Sequence, residues 1–250
     1  FNGGLIIYSD LQCTSGRNTR SSSREDKIYQ VGKDNILLAG TGSIVGIIQA
    51  TELASKYIQI WKSHHDLRPI LPFEIGEILR YVMDPNDEAW FLVGAYDHQR
   101  DQGYVADVEC NGITWQSDLC QVNGSGSNYM ISKAKDLTHK VLATRKNGKD
   151  VVITRDVYDA LPALDFPREV ALLEGLDVIS AGPTADVFSG GNGYQAMVVD
   201  KNGTSEYILP TALAQEILTK KREAEFSAVH SRRKKVSFNS YHLFEQGRRR

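Results

Sequence analysis

The chain has 250 residues, 41% of them hydrophobic and 24% charged, with 21 Gly and 7 Pro. That is ordinary globular composition with enough chain to bury one sizeable core, and it excludes the collagenous, low-complexity and disordered classes. The three cysteines, Cys13, Cys110 and Cys120, are too few and too irregularly spaced for a disulfide framework or a Cys-x-x-Cys zinc site, and no run nears the ~18 apolar residues of a membrane span. A soluble, cytoplasmic protein in a reducing compartment, without cofactor or metal, is expected.

The net charge of −2 is unevenly spread. From Lys220 to Arg250 ten Lys/Arg face three Glu, a local +7, which leaves −9 for the 219 residues before them. Such tails bind nucleic acid or acidic protein surfaces. Here Phe238, Tyr241, Leu243 and Phe244 interrupt the charge, so the expectation is an arm that packs on a neighbouring subunit instead of binding nucleic acid. The division is a folded domain over 1–219 and a basic arm over 220–250.

In chain order, "GGLIIYSD" reads as a short apolar strand ending at Asp10. Asn2-Gly3 before it is a hairpin turn signal that needs a strand on both sides, so a further strand is expected ahead of Phe1. Between Ser9 and Lys27 lies a Ser/Thr/Arg-rich run, read as a solvated loop. "KIYQVG" and "NILLAGTG" form a strand pair. Apolar residues then recur at threes and fours from Ile44 to Trp61, a helix capped by Ser43 or Thr41. "LPFEIGEILRYVM" is a second helix with Pro72 in its first turn. Strands follow in "AWFLVGAYD", "GYVADVEC" and "GITWQSD", the last two joined at Asn111-Gly112. "QVNGSGS" opens a third helix, about Tyr129 to Thr144, and a fourth runs about Phe166 to Leu176. Two strands around Asn202-Gly203 close the pattern. No β-α-β alternation is present. The order predicts an α+β sandwich with two layers of strands and two of helices.

Five motifs in this order, "GGLIIYSD", Lys27 opening "KIYQVG", "LLAGTGS" before a long helix, "VNGSGS" opening a helix and "DVFSGG" before a strand, resemble a β-type subunit of the proteasome over Phe1 to about Leu218. The resemblance implies the N-terminal nucleophile hydrolase fold, two antiparallel sheets between helix pairs. It also implies a threonine peptidase, whose N-terminal hydroxyl attacks the peptide carbonyl while its own α-amine serves as base. Carried over residue by residue, Lys27 matches the buried lysine that lowers the pKa of the nucleophile and Asp10 its carboxylate partner. Gly40 matches the glycine whose N–H meets the oxyanion. Ser125, Asp186 and Ser189 match the polar set that orients the threonine amine. Leu38 falls at the floor of the substrate pocket, Cys13 at a wall, and Thr14 where loop backbone binds substrate. Implied partners are other β subunits in seven-membered rings, α-type rings, an ATP-dependent unfoldase acting indirectly, and unfolded polypeptide as substrate.

Each residue also has a plain reading. Lys27 is an ordinary surface lysine at a strand start, Gly40 allows close helix packing, and Asp186 and Ser189 form turns. His64 and His65 read as surface residues. Three departures from the family stand out. The sequence begins inside the turn after the family's first strand, so the threonine is expected upstream of Phe1. Asp10 and Lys27 are 17 apart, one more than usual, which calls for a bulge in the Ser-rich run. The stretch around 151–167 is an insertion. The alternatives are a non-catalytic structural ring subunit, or a proteasome-related bacterial peptidase on the same fold.

Overall fold

In the computed structural model, the described residues are 1, 3–15, 19–24, 27–31, 35–65, 70, 72–86, 88–98, 101–115, 120, 122–145, 167–185, 191–230 and 241–248. Strands β1 (Gly4–Asp10), β2 (Gln12–Ser15), β3 (Thr19–Arg24), β4 (Ile28–Gln30) and β5 (Ile36–Gly42) precede helices α1 (Ile44–His64) and α2 (Pro72–Val82). Strands β6 (Ala89–Asp97), β7 (Gln102–Glu109) and β8 (Gly112–Trp115) lead to α3 (Ser127–Arg145), α4 (Arg168–Ile179) and the short α5 (Ala181–Ala185). The chain closes with β9 (Gly193–Asp200), β10 (Gly203–Pro210), α6 (Thr211–His230) and α7 (Tyr241–Gln246).

Two antiparallel sheets result, β4-β5-β6-β7-β8 and β1-β9-β10, with β2-β3 as a separate hairpin. Period-two alternation explains why they stack. Leu5 and Ile7 of β1 meet Leu37 of β5 and Met197 and Val199 of β9 between the sheets. The alternate residues Ile36, Leu38, Phe91 and Val93 turn outward to α1 and α2. On the other side Tyr194, Ala196, Val198 and Leu209 pack on α4 and α6. All eight residues of β9 are buried, since that strand is covered on both faces. The mixed α+β sandwich predicted from the element order is the architecture found.

Local chemistry sets the boundaries. Ser43 caps α1, its hydroxyl accepting from the Gly46 N–H at 3.3 Å. Gly42 ahead of it has φ +100°, and a Cβ there would fall 1.8 Å from the Glu88 carbonyl oxygen, so only glycine fits between β5 and the loop before β6.

Three expectations are corrected. The polar run after Asp10 is not a plain loop: Gln12–Ser15 and Thr19–Arg24 pair as strands, with a register shift between Gln12 and Thr14, opposite Arg24 and Arg20, where β3 takes up two extra residues. The boundary at 219/220 is crossed by α6, because Ala214, Ile217, Leu218 and Lys221 form one buried helical stripe that runs through it. Finally, Leu243 and Phe244 of the basic arm are buried against this chain's own sheet, at 3% and 0% exposure, where Phe244 stands edge-on to Tyr207. The insertion near 151–167 lies, save Pro167, outside the described residues.

Candidate functional site

The site forms where β1 ends. Asp10 is the last residue of β1, and its Oδ1 accepts the Gln12 N–H at 2.9 Å, turning the chain into β2. Lys27, just before β4, reaches across so that its Nζ stands 2.6 Å from the same Oδ1. The pair is partly buried, with the carboxylate 15% and the ammonium 32% exposed. The Lys27 backbone is pinned as well: its carbonyl oxygen accepts the Gly40 N–H at 3.2 Å. Tyr194, opposite Asp10 on β9, has its phenol pKa raised by burial and by the negative charge of Asp10, so it stays neutral there.

This pair lines a cleft of about 580 Å³. Asp10, Lys27, Ser9 and Gln12 make a polar end, while Ile44, Ile47, Trp90, Leu92, Met130 and Ile179 supply apolar walls. The turn before α3 closes the far side and brings Ser125 to the rim, solvent-exposed. That turn is held by Asn123, whose Oδ1 accepts the Gly124 N–H at 2.6 Å and whose Nδ2 donates to Asp107 at 3.0 Å. Gly124 itself has φ +101°. Burial, together with nearby Glu109, raises the Asp107 pKa.

Of the residues singled out from the sequence, Asp10, Lys27, Gly40 and Ser125 therefore meet at one cleft. Leu38 does not line it. That side chain is 0% exposed in the core beneath α1, on the opposite face of β5 from Ala39, which does border the cleft. Cys13 and Thr14 lie on β2, with side chains outside the described residues. Asp186 and Ser189 fall outside the described residues altogether. The chain is next described at Gly191, which packs against Gln12, and the Leu11 N–H donates to the Gly193 carbonyl at 3.1 Å. His64 and His65 are exposed at the end of α1, with His65 stacked on Trp61. Among the described residues no group of three or more His, Cys, Asp or Glu could hold a metal ion, and no helix is long and apolar enough to cross a membrane.

Sequence reasoning missed the aromatic lining, Tyr8, Tyr29 and Trp90. Nothing in their spacing groups them, because they come from β1, β4 and β6 and meet only through the pairing of β4 and β6 with β5 and the stacking of the two sheets. A second feature bears on the strand expected ahead of Phe1. Among the described residues β1 pairs only with β9, so its other edge carries no strand. A cavity of about 160 Å³ lies beside β1, lined by Ile6, Ile7, Val105, Val122, Leu137 and Val178 among others.

Compared with known families, residues 1–153 match the model of the proteasome subunit family. A search of curated proteins finds no match.

Proposed function

This chain belongs to the proteasome subunit family, and from that premise we propose that it assembles with other proteasome subunits in rings as a catalytic β-type subunit, a threonine endopeptidase acting on unfolded polypeptide. The observation that carries the reading is the Lys27–Asp10 pair, 2.6 Å apart at the polar end of a cleft with apolar walls. A lysine held in a partly buried cleft by a carboxylate is what an activated hydroxyl nucleophile requires: a fixed positive charge that favours the deprotonated nucleophile.

In this reading the nucleophile is an N-terminal threonine on a strand that precedes Phe1 and lies along the edge of β1 that pairs with no strand among the described residues, its apolar side chains filling the adjoining cavity. Its α-amine, with a pKa near 8, takes the hydroxyl proton. The oxygen attacks the peptide carbonyl, the amine then protonates the leaving nitrogen, and water hydrolyses the resulting ester by the same proton route. Lys27 supplies the charge, Asp10 fixes it, and Ser125 with Asp186 and Ser189 orients the amine. Gly40 contributes its N–H to the oxyanion. Backbone groups of Cys13 and Thr14 border the substrate.

A structural, non-catalytic role is the second reading, and one observation favours it: the Gly40 N–H is already bonded to the Lys27 carbonyl and would have to exchange that partner for an oxyanion. The deciding experiment is the intact mass of the mature protein made from its full gene, together with peptide turnover in the assembled state. A processed N-terminal threonine and turnover that vanishes in Lys27→Ala support catalysis. Assembly with neither supports the structural role.

A further inference from the structure

We infer that the C-terminal segment Tyr241–Arg248 is an edge cap that keeps β10 from pairing with a second copy of this chain. Among the described residues β10 is the outer strand of its sheet, with β9 as its one partner strand. The other edge is met by the residues that follow α7. The Gly247 carbonyl accepts the Ile208 N–H at 2.7 Å, and Tyr207 and Arg248 form an antiparallel bridge. The Arg248 guanidinium reaches Ser205 Oγ at 3.3 Å and Glu245 at 3.4 Å.

Two sequence features make this contact. Leu243 and Phe244 plug α7 into the core and so bring the following residues alongside the strand. Gly247 then lets the backbone close in, because a Cβ there would stand 2.5 Å from the Ile208 carbonyl oxygen. Without the cap, outward-facing N–H and C=O groups at alternate positions of β10 would be bare. A bare antiparallel edge is self-complementary about a two-fold axis, so an identical copy supplies donors and acceptors in matching order. Pro210, which has no N–H, ends the strand and bounds the length over which such pairing can run.

The test uses the full chain and Gly247→Val, which pushes the backbone off β10 while keeping Leu243 and Phe244. Amide hydrogen exchange is read at Ile208 and, in the same sample, at Val198 inside β9. The expected result is at least tenfold faster exchange at Ile208 with Val198 unchanged, and a concentration-dependent gain in mass by light scattering beyond that of the wild type. Equal acceleration at Ile208 and Val198 would show that the segment is only core. Unchanged exchange at Ile208, or a freed edge that leaves the mass as in the wild type, would equally overturn the proposal.

Discussion

Replacing Lys221 by Met should cost this chain about 3 kcal/mol and change how its stability depends on pH. Lys221 is 4% exposed on α6, with Glu174 and Asp177 of α4 each at 3.2 Å and Glu225 at 3.3 Å. Asp177 also holds Lys133 of α3 at 2.8 Å, so the group ties three helices together. Burial alone would raise the Asp177 pKa, but the bond from Lys133 and the charge of Lys221 more than offset it and hold it below the usual value. Burial likewise works to lower the Lys221 pKa, and the three carboxylates more than reverse that. Met keeps the aliphatic stem and removes the charge. Removing one partner of a buried pair costs about 3–5 kcal/mol. The lower end applies because Asp177 and Glu225 are 25% and 42% exposed and keep water, whereas Glu174, at 8%, does not.

The signs follow from linkage. In the wild type the raised Lys221 contributes fully below its unfolded pKa of about 10.4 and loses that as pH rises through the higher folded value. The depressed Asp177 contributes above about 3.9 and loses that as pH falls through the lower folded value. Between those limits wild-type stability from this group is flat. In Lys221→Met the part of the Asp177 depression that comes from Lys221 is lost while the bond from Lys133 stays, so the variant should lose less stability than the wild type as pH falls through the acid range. Urea unfolding at several pH values measures both effects. A cost below about 1 kcal/mol at pH 7, or parallel pH profiles for variant and wild type, would refute the reasoning. Glu174→Leu added to Lys221→Met should recover most of the loss.

In the assembled full-length protein, Lys27→Ala and Lys27→Arg should each lower peptide turnover by at least about a hundredfold. The first loses the charge, and the second replaces a compact ammonium by a planar guanidinium. Asp10→Ala should follow, and a version beginning at Phe1 should be inactive; full turnover in Lys27→Ala would sink the mechanism. The apolar walls formed by Ile44, Ile47, Leu92, Met130 and Ile179 should favour apolar residues on the acyl side of the scissile bond, by about 1.5–3 kcal/mol per side chain, in a panel of fluorogenic peptides. Fastest cleavage after acidic residues would contradict it. Phe244→Ala should destabilise the chain by about 3–5 kcal/mol in urea unfolding, because that ring is fully buried in this subunit's core. A neutral effect on the isolated chain would place the ring in a neighbour instead. Gly42→Ala should cost at least about 1–2 kcal/mol by the same measurement, from the clash with Glu88 and the positive φ.

Local pattern was enough for most elements and for the order of layers. Alternation in "GLIIYSD" and "ILLAGTG", the threes and fours of α1 and the Gly turn before α3 each express a short-range constraint that a few neighbouring residues satisfy by themselves. Asp10, Lys27, Gly40 and Ser125 were legible only through the family resemblance, since each also has a plain local reading, and the fold brings them to one cleft. What the sequence could not decide was which faces and edges meet. Leu38 sits at the spacing of a pocket residue, yet its face of β5 is the one α1 covers, so it is core. The Gly40 N–H reads as a donor to the cleft, yet the register of β4 on β5 directs it to the Lys27 carbonyl. The basic tail reads as a charged arm because its composition is averaged over many residues, whereas the fold depends on Lys221 among three carboxylates and on Phe244 against Tyr207. These outcomes rest on contacts between residues far apart in the chain, as in the pairing of Asp10 with Tyr194. Their free energy arises only when sheets and helices have packed together, and no local window of sequence contains both partners.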